Sequence, residues 1–145
     1  MKSRKSFPLV LTIVLTGILL AVFSTPAPAQ EKSENVVKVY YFHGKVRCAT
    51  CNKIENLIAD AMDNKFKKQI ADGKVKFEII DFSDKKNSHY EKKYDLYSQT
   101  LIISQVKNGK ESKWKNSEKI WTLHGNKNKF IDYVASEVND YLKGL

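Results

Sequence analysis

Val36-Val37-Lys38-Val39-Tyr40-Tyr41-Phe42, then His43-Gly44-Lys45-Val46-Arg47, then Cys48-Ala49-Thr50-Cys51, is the stretch whose reading decides the fold. Its first seven residues are β-branched or aromatic almost throughout, as suits a strand covered on both faces. A short polar loop leads to Cys48. From Cys51 onward Ile54, Leu57, Ile58, Ala61, Met62, Phe66 and Ile70 recur at steps of three and four residues. That spacing predicts an amphipathic helix that stops near Asp72-Gly73, with Asp63-Asn64 as the place for a bend. Cys48 and Cys51 are the only two cysteines in the chain.

Working outward, residues 75–82 read as a second buried strand, with Ile79-Ile80 at its centre. Residues 84–97 are polar and weakly periodic, with a short helix predicted over 88–94. Residues 101–106 form a third strand. Asn108-Gly109 is a hairpin signal, because both residues tolerate the positive φ that a tight two-residue turn demands. A fourth strand follows over 111–114. The last element is a helix over 126–142, with Phe130, Val134, Val138 and Tyr141 on one face and Gly144 just past its end. The order is strand, helix, strand, helix, hairpin, helix. Parallel strands joined through a helix take a right-handed crossover. The expected fold is therefore α/β and thioredoxin-like: a central four-stranded mixed sheet with helices on both faces. The Cys-x-x-Cys falls where that fold carries it, after the first strand and at the start of the first helix.

The N-terminus has a different character. Lys2, Arg4 and Lys5 precede an uncharged apolar run from Phe7 to Phe23, and Ala27-Pro28-Ala29 supplies small residues in the spacing a signal peptidase reads. This predicts a signal peptide over residues 1–29, a polar disordered lead over 30–35 and one domain over 36–145. A retained single-span anchor is the alternative, since the run approaches the lower length limit of about 17 residues for crossing a bilayer. Either way the domain is expected to be extracytoplasmic: periplasmic, secreted or held at a membrane surface. Without residues 1–29, which hold three basic residues and no acid, the net charge falls from +9 to +6. The lysines are scattered and interleaved with acids, which describes a solvated surface and argues against nucleic acid as a partner.

Thiol chemistry is the concentrated chemistry of this chain. The first turn of a helix leaves backbone N–H groups without partners at the positive end of the helix dipole. Both favour a thiolate at Cys48, whose pKa then falls below the free value of about 8.5. Arg47, Lys45 and His43 add positive charge nearby. Cys48 is expected to be the exposed nucleophile and Cys51, one turn in, the buried resolving thiol. The substrate would be a protein or small-molecule disulfide or thiol. No cofactor is expected.

Two other readings share the same sulfurs. An inert structural disulfide is common in exported proteins, although a loop this short removes little entropy from the unfolded chain. A soft ion such as Cu(I) could bind two thiolates, whereas a closed zinc site needs three or four protein ligands. His43, five residues before Cys48, could supply one ligand, although a lone loop histidine is more often simply solvated, and no spacing unites His89 and His124 with the cysteines. Tyr40, Tyr41, Phe42, Trp114 and Trp121 read as core and sheet-face residues, with Trp114 and Trp121 also placed for partner docking.

Tyr40-Tyr41-Phe42-His43-Gly44, Arg47-Cys48-Ala49-Thr50-Cys51 and Ile54-Glu55 together resemble an exported thioredoxin-like family with a Phe-His-Gly-x-x-Arg-Cys-x-Thr-Cys-x-x-Ile-Glu signature. That family is catalogued as a nitrophenyl-compound nitroreductase subunit family. The resemblance continues to Trp114, Ile120-Trp121 and Phe130-x-x-Tyr133-Val134. It implies a thioredoxin-like fold and a redox pair at Cys48 and Cys51. Two positions depart from ordinary thioredoxins. Gln99, before Thr100, stands in place of the cis-proline that faces the cysteine pair, and a cis bond there would cost about 2.5–4 kcal/mol. Phe42 stands in place of the buried aspartate that handles the resolving thiol's proton. The expectation is a trans peptide at Gln99 and an altered substrate groove.

Overall fold

The computed structural model describes residues 34–145. The predicted signal peptide and most of the predicted lead lie outside them. Four strands make one sheet: β1 (Val36–His43), β2 (Val75–Asp81), β3 (Thr100–Lys107) and β4 (Lys110–Asn116). The spatial order is β2-β1-β3-β4. β1 runs parallel to β2 and antiparallel to β3, and β3 and β4 form an antiparallel hairpin. The helices are α1 (Ala49–Lys65), α2 (Lys67–Ala71), α3 (Ser88–Tyr94), α4 (Ile120–Leu123) and α5 (Lys127–Leu142). This mixed sheet, with a helical crossover between parallel β1 and β2 and a hairpin on the other side, is the thioredoxin-like arrangement. Among the described residues no helix is long and apolar enough to cross a membrane.

Alternation along β1 sorts the core into two layers, because successive side chains in a strand point to opposite faces. Val37, Val39 and Tyr41 join Ile54, Ile58 and Met62 of α1 and Phe130, Val134 and Val138 of α5. Tyr40 and Phe42 face the other way, onto Tyr94 and Leu96. The turn between β3 and β4 has positive φ at Asn108 (51°) and Gly109 (76°), the conformation the Asn-Gly pair was expected to supply. Glu34 and Asn35, assigned by sequence to the polar lead, are tied to this turn. The Glu34 carbonyl accepts from Gly109 N–H at 3.0 Å, and Asn35 Oδ1 accepts from Asn108 N–H at 2.9 Å.

Two expectations are corrected. The helix after the cysteines does not bend at Asp63-Asn64 but breaks at Phe66 (φ −127°), whose N–H closes α1 on Met62 O at 2.9 Å. The break lets the Phe66 ring enter the core, while Ile70, on the far side of it, is left 37% exposed. β2 is not a buried strand. It lies at the sheet edge, and Lys76, Glu78 and Ile79 are exposed, with only Val75 and Ile80 buried. Sequence could not distinguish the positions, since a central and an edge strand share the same β-rich composition.

Candidate active site

Cys48 is the N-cap of α1, in extended conformation (φ −80°, ψ 165°). Its Sγ accepts the backbone N–H of Cys51 at 3.1 Å, and its carbonyl accepts Asn52 N–H at 3.0 Å. The two cysteines are joined as a disulfide, with their Cα atoms 5.0 Å apart. Cys48 is exposed and Cys51 is 3% exposed. The first turn of α1 carries no acidic residue, so nothing there opposes the partial positive charge directed at Cys48 Sγ. An exposed sulfur bonded to a buried one, with a helix N–H pointing at the exposed atom, is an arrangement able to exchange thiols.

Beneath the pair, Tyr41 donates its hydroxyl to Cys51 O at 3.0 Å, in a buried contact between β1 and α1. Burial raises the Tyr41 pKa, against the opposing pull of the Arg47 charge, so the hydroxyl stays a donor. From sequence alone Tyr41 is only a core aromatic. The available signal was its parity on β1, which puts it on the same face as α1.

Arg47 is ion-paired with Glu55, which lies nearly two turns beyond Cys48 on α1. Its charge is thus partly compensated, and it straps the loop before Cys48 to the helix. In the sequence Glu55 stands out only as part of a signature, because no local helical spacing links it to Arg47, which precedes the helix. His43 ends β1 opposite Asp81 on β2, with its Nδ1 at 3.0 Å from Gly44 O. Hydrogen bonds from Ser83 are the main reason the Asp81 carboxyl titrates below its ordinary range, and the nearby His43 contributes. Lys45 is exposed on the loop, next to Val46, which is 82% exposed. Among the described residues no group of three or more His, Cys, Asp or Glu side chains is placed to hold a metal ion. His89 lies on α3 with its ring tilted against that of Tyr90, 4.1 Å between centroids.

Gln99 and Thr100 come up beside this loop. Gln99 Nε2 donates to Val46 O at 3.2 Å, joining the approach to β3 to the loop that carries Cys48. Among the described residues every peptide bond is trans, that before Gln99 included. Thr100 is buried and donates its hydroxyl to Asn116 Oδ1 on β4. A groove of about 460 Å3 opens at this place, lined by Tyr97, Gln99, Asn116, Lys119 and Trp121 among others. Tyr97 is 82% exposed at its rim. Phe42 is far from any role beside the thiols: it points into the opposite layer, its ring centroid 5.2 Å from that of Tyr90 and 5.7 Å from that of Tyr94.

No known family profile matches the sequence, and no curated protein matches it either. Among solved structures, one described as "a malarial protein" is 22% identical, with a TM-score of 0.39, over 61% of this chain and 93% of that one. Thioredoxin-2, described as a component of malaria parasite protein secretion machinery, is 19% identical, with a TM-score of 0.40, over 62% of this chain and 82% of its own. The assignment of the fold rests on the strand order and connections given above.

Proposed function

We propose that this chain is an extracytoplasmic thiol–disulfide oxidoreductase, or the redox partner of one, working through Cys48 and Cys51. The observation that carries the reading is the exposed Cys48 Sγ at the N-terminus of α1, accepting Cys51 N–H and bonded to a buried resolving sulfur. In the reduced chain the Cys48 thiolate attacks one sulfur of a substrate disulfide and expels the other as a thiolate. Cys51 then gives up its proton and attacks Cys48 Sγ, which re-forms the Cys48–Cys51 bond and releases the reduced substrate with two electrons. Run in reverse, the same steps oxidise a dithiol. Arg47 and Glu55 hold the loop in register with the helix, and the groove beside Gln99 receives the substrate. The extracytoplasmic setting and the place in an exported, nitroreductase-subunit-like family are supported by the N-terminal pattern and by the signature around Cys48.

Equilibration against glutathione buffers tests the reading. The pair is expected to titrate reversibly within the range of exchanging dithiols, about −270 to −120 mV. Cys48→Ser is expected to abolish exchange, while Lys92→Ser on the solvent side of α3 leaves it unchanged. A potential below about −300 mV together with no exchange would make the bond an inert staple and overturn the proposal.

A further inference from the structure

The open edge of β2 is self-complementary, and the geometry points to a second copy of this chain as its occupant. Val37 N–H donates to Lys74 O and Phe82 N–H donates to His43 O, each at 2.9 Å, while Val37 is in register with Val75 and His43 with Asp81. In a parallel ladder only alternate residues of a strand face a given neighbour, and each of those bonds the residues before and after its register partner, as Val37 and His43 do here. The even-numbered residues of β2 therefore turn their backbone groups towards β1. The odd-numbered ones, Val75, Phe77 and Ile79, turn theirs outward, where no strand of the described residues pairs with them.

An antiparallel second copy centred on Phe77 uses all of these groups. Phe77 meets Phe77, and Val75 of each copy meets Ile79 of the other, as hydrogen-bonded pairs. Lys76 then falls opposite Glu78 of the second copy in the intervening pairs, where facing side chains approach most closely. Both side chains are exposed. Lys76 already pairs with Glu34, and Glu78 has no ion-pair partner among the described residues, so the second copy completes the row of charges. Sliding the register to centre on position 76 or 78 instead puts Lys76 against Lys76 or Glu78 against Glu78, which is unfavourable. The same docking covers Ile79, which is 44% exposed. Edge strands are usually protected against such pairing, and β4, at the other edge, shows a register shift where it pairs with β3 and carries Lys110, Lys113 and Lys115. β2 has no such shift: the seven register pairs from Val37↔Val75 to His43↔Asp81 run uninterrupted. The result is a two-fold dimer with one continuous sheet, its contact patch identical on both copies.

Charge reversal reads this out. Sedimentation is measured on the protein as released by a host that processes its own N-terminal segment. Wild type is expected to dimerise, Glu78→Lys to weaken the dimer roughly 10-fold, and the double variant Lys76→Glu/Glu78→Lys to regain it, because the reversed pairs attract again. Three results would overturn the inference. One is a wild type that stays monomeric at every concentration. Another is a dimer indifferent to Glu78→Lys, or one not regained in the double variant. The third is a monomer whose Val75, Phe77 and Ile79 amides are nonetheless protected from hydrogen exchange, because another segment of this chain would then hold the edge.

Discussion

The two faces of the sheet are built on different principles. The face under α1 and α5 is a thick, mostly aliphatic layer in which Val39, Ile54, Ile58, Met62, Phe130 and Val134 are fully buried. The face under α3 is thin and aromatic. Tyr40, Phe42, Tyr90 and Tyr94 meet there at centroid distances of 5.2–6.2 Å, and Trp114 closes the row with an edge contact to Tyr94 at 5.1 Å. Through it runs one carboxylate. Glu111 accepts from Tyr94 and Ser104 hydroxyls and pairs with Lys93 at 3.1 Å. The thiols sit on a helix bedded in the thick layer, so their geometry does not depend on how firmly α3 is held. The comparison predicts that the faces can be weakened separately.

The largest effect is expected on the thick side. Phe130→Ala removes a fully buried ring between α5 and the sheet and should cost about 3–5 kcal/mol in denaturant unfolding. A cost under about 1 kcal/mol would show that this layer is not the main source of stability.

A smaller loss is expected on the aromatic side. Glu111→Gln leaves Tyr94, Ser104 and Lys93 without a charged acceptor and should cost about 1–3 kcal/mol, with thiol exchange unchanged. The cost should depend on pH. Burial raises the Glu111 pKa, but the hydrogen bonds from Ser104, Tyr94 and Lys93 outweigh it, and the carboxyl titrates below its ordinary range. A depressed carboxylate pKa adds stability that is fully present above the unfolded value, about 4.3, and is lost as pH falls through the folded one. The gap between wild type and Glu111→Gln should therefore be constant at neutral pH and close in acid. A gap that widened in acid would reverse the sign of this account.

The smallest effect tests the link between the thick layer and the site. Tyr41→Phe deletes the hydrogen bond to Cys51 O and should lower stability by about 1 kcal/mol while exchange persists. Lost exchange at unchanged stability would instead make the Tyr41 hydroxyl part of the thiol chemistry.

Much of this was legible in the chain. β1, the Asn-Gly hairpin, α3 and the amphipathic α5 were readable because local periodicity and turn chemistry specify them, and the Cys-x-x-Cys at a helix start is a local pattern too. The position of β2 was not readable, because being central or at an edge depends on which strands pair, and pairing is a long-range choice. Nor was the break at Phe66, where the core's demand for one ring overrides the helical period. The surround of the thiols was the least legible part. Tyr41 to Cys51, Arg47 to Glu55 and Gln99 to Val46 each join residues that no helical or strand rule brings together.

The sequence by itself determined a strand–loop–helix unit with Cys48 at its junction and an apolar stripe to bury, because backbone propensity and side-chain spacing act over a few residues. Only the tertiary structure decided what stands around that junction: a tyrosine hydroxyl beneath Cys51, a paired arginine beside Cys48, and Gln99 fastened to the loop. Gln99 reaches the loop because the sheet order β2-β1-β3-β4 brings the start of β3 and the start of α1 to the same end of β1. Among the described residues the same order leaves β2 with an open edge.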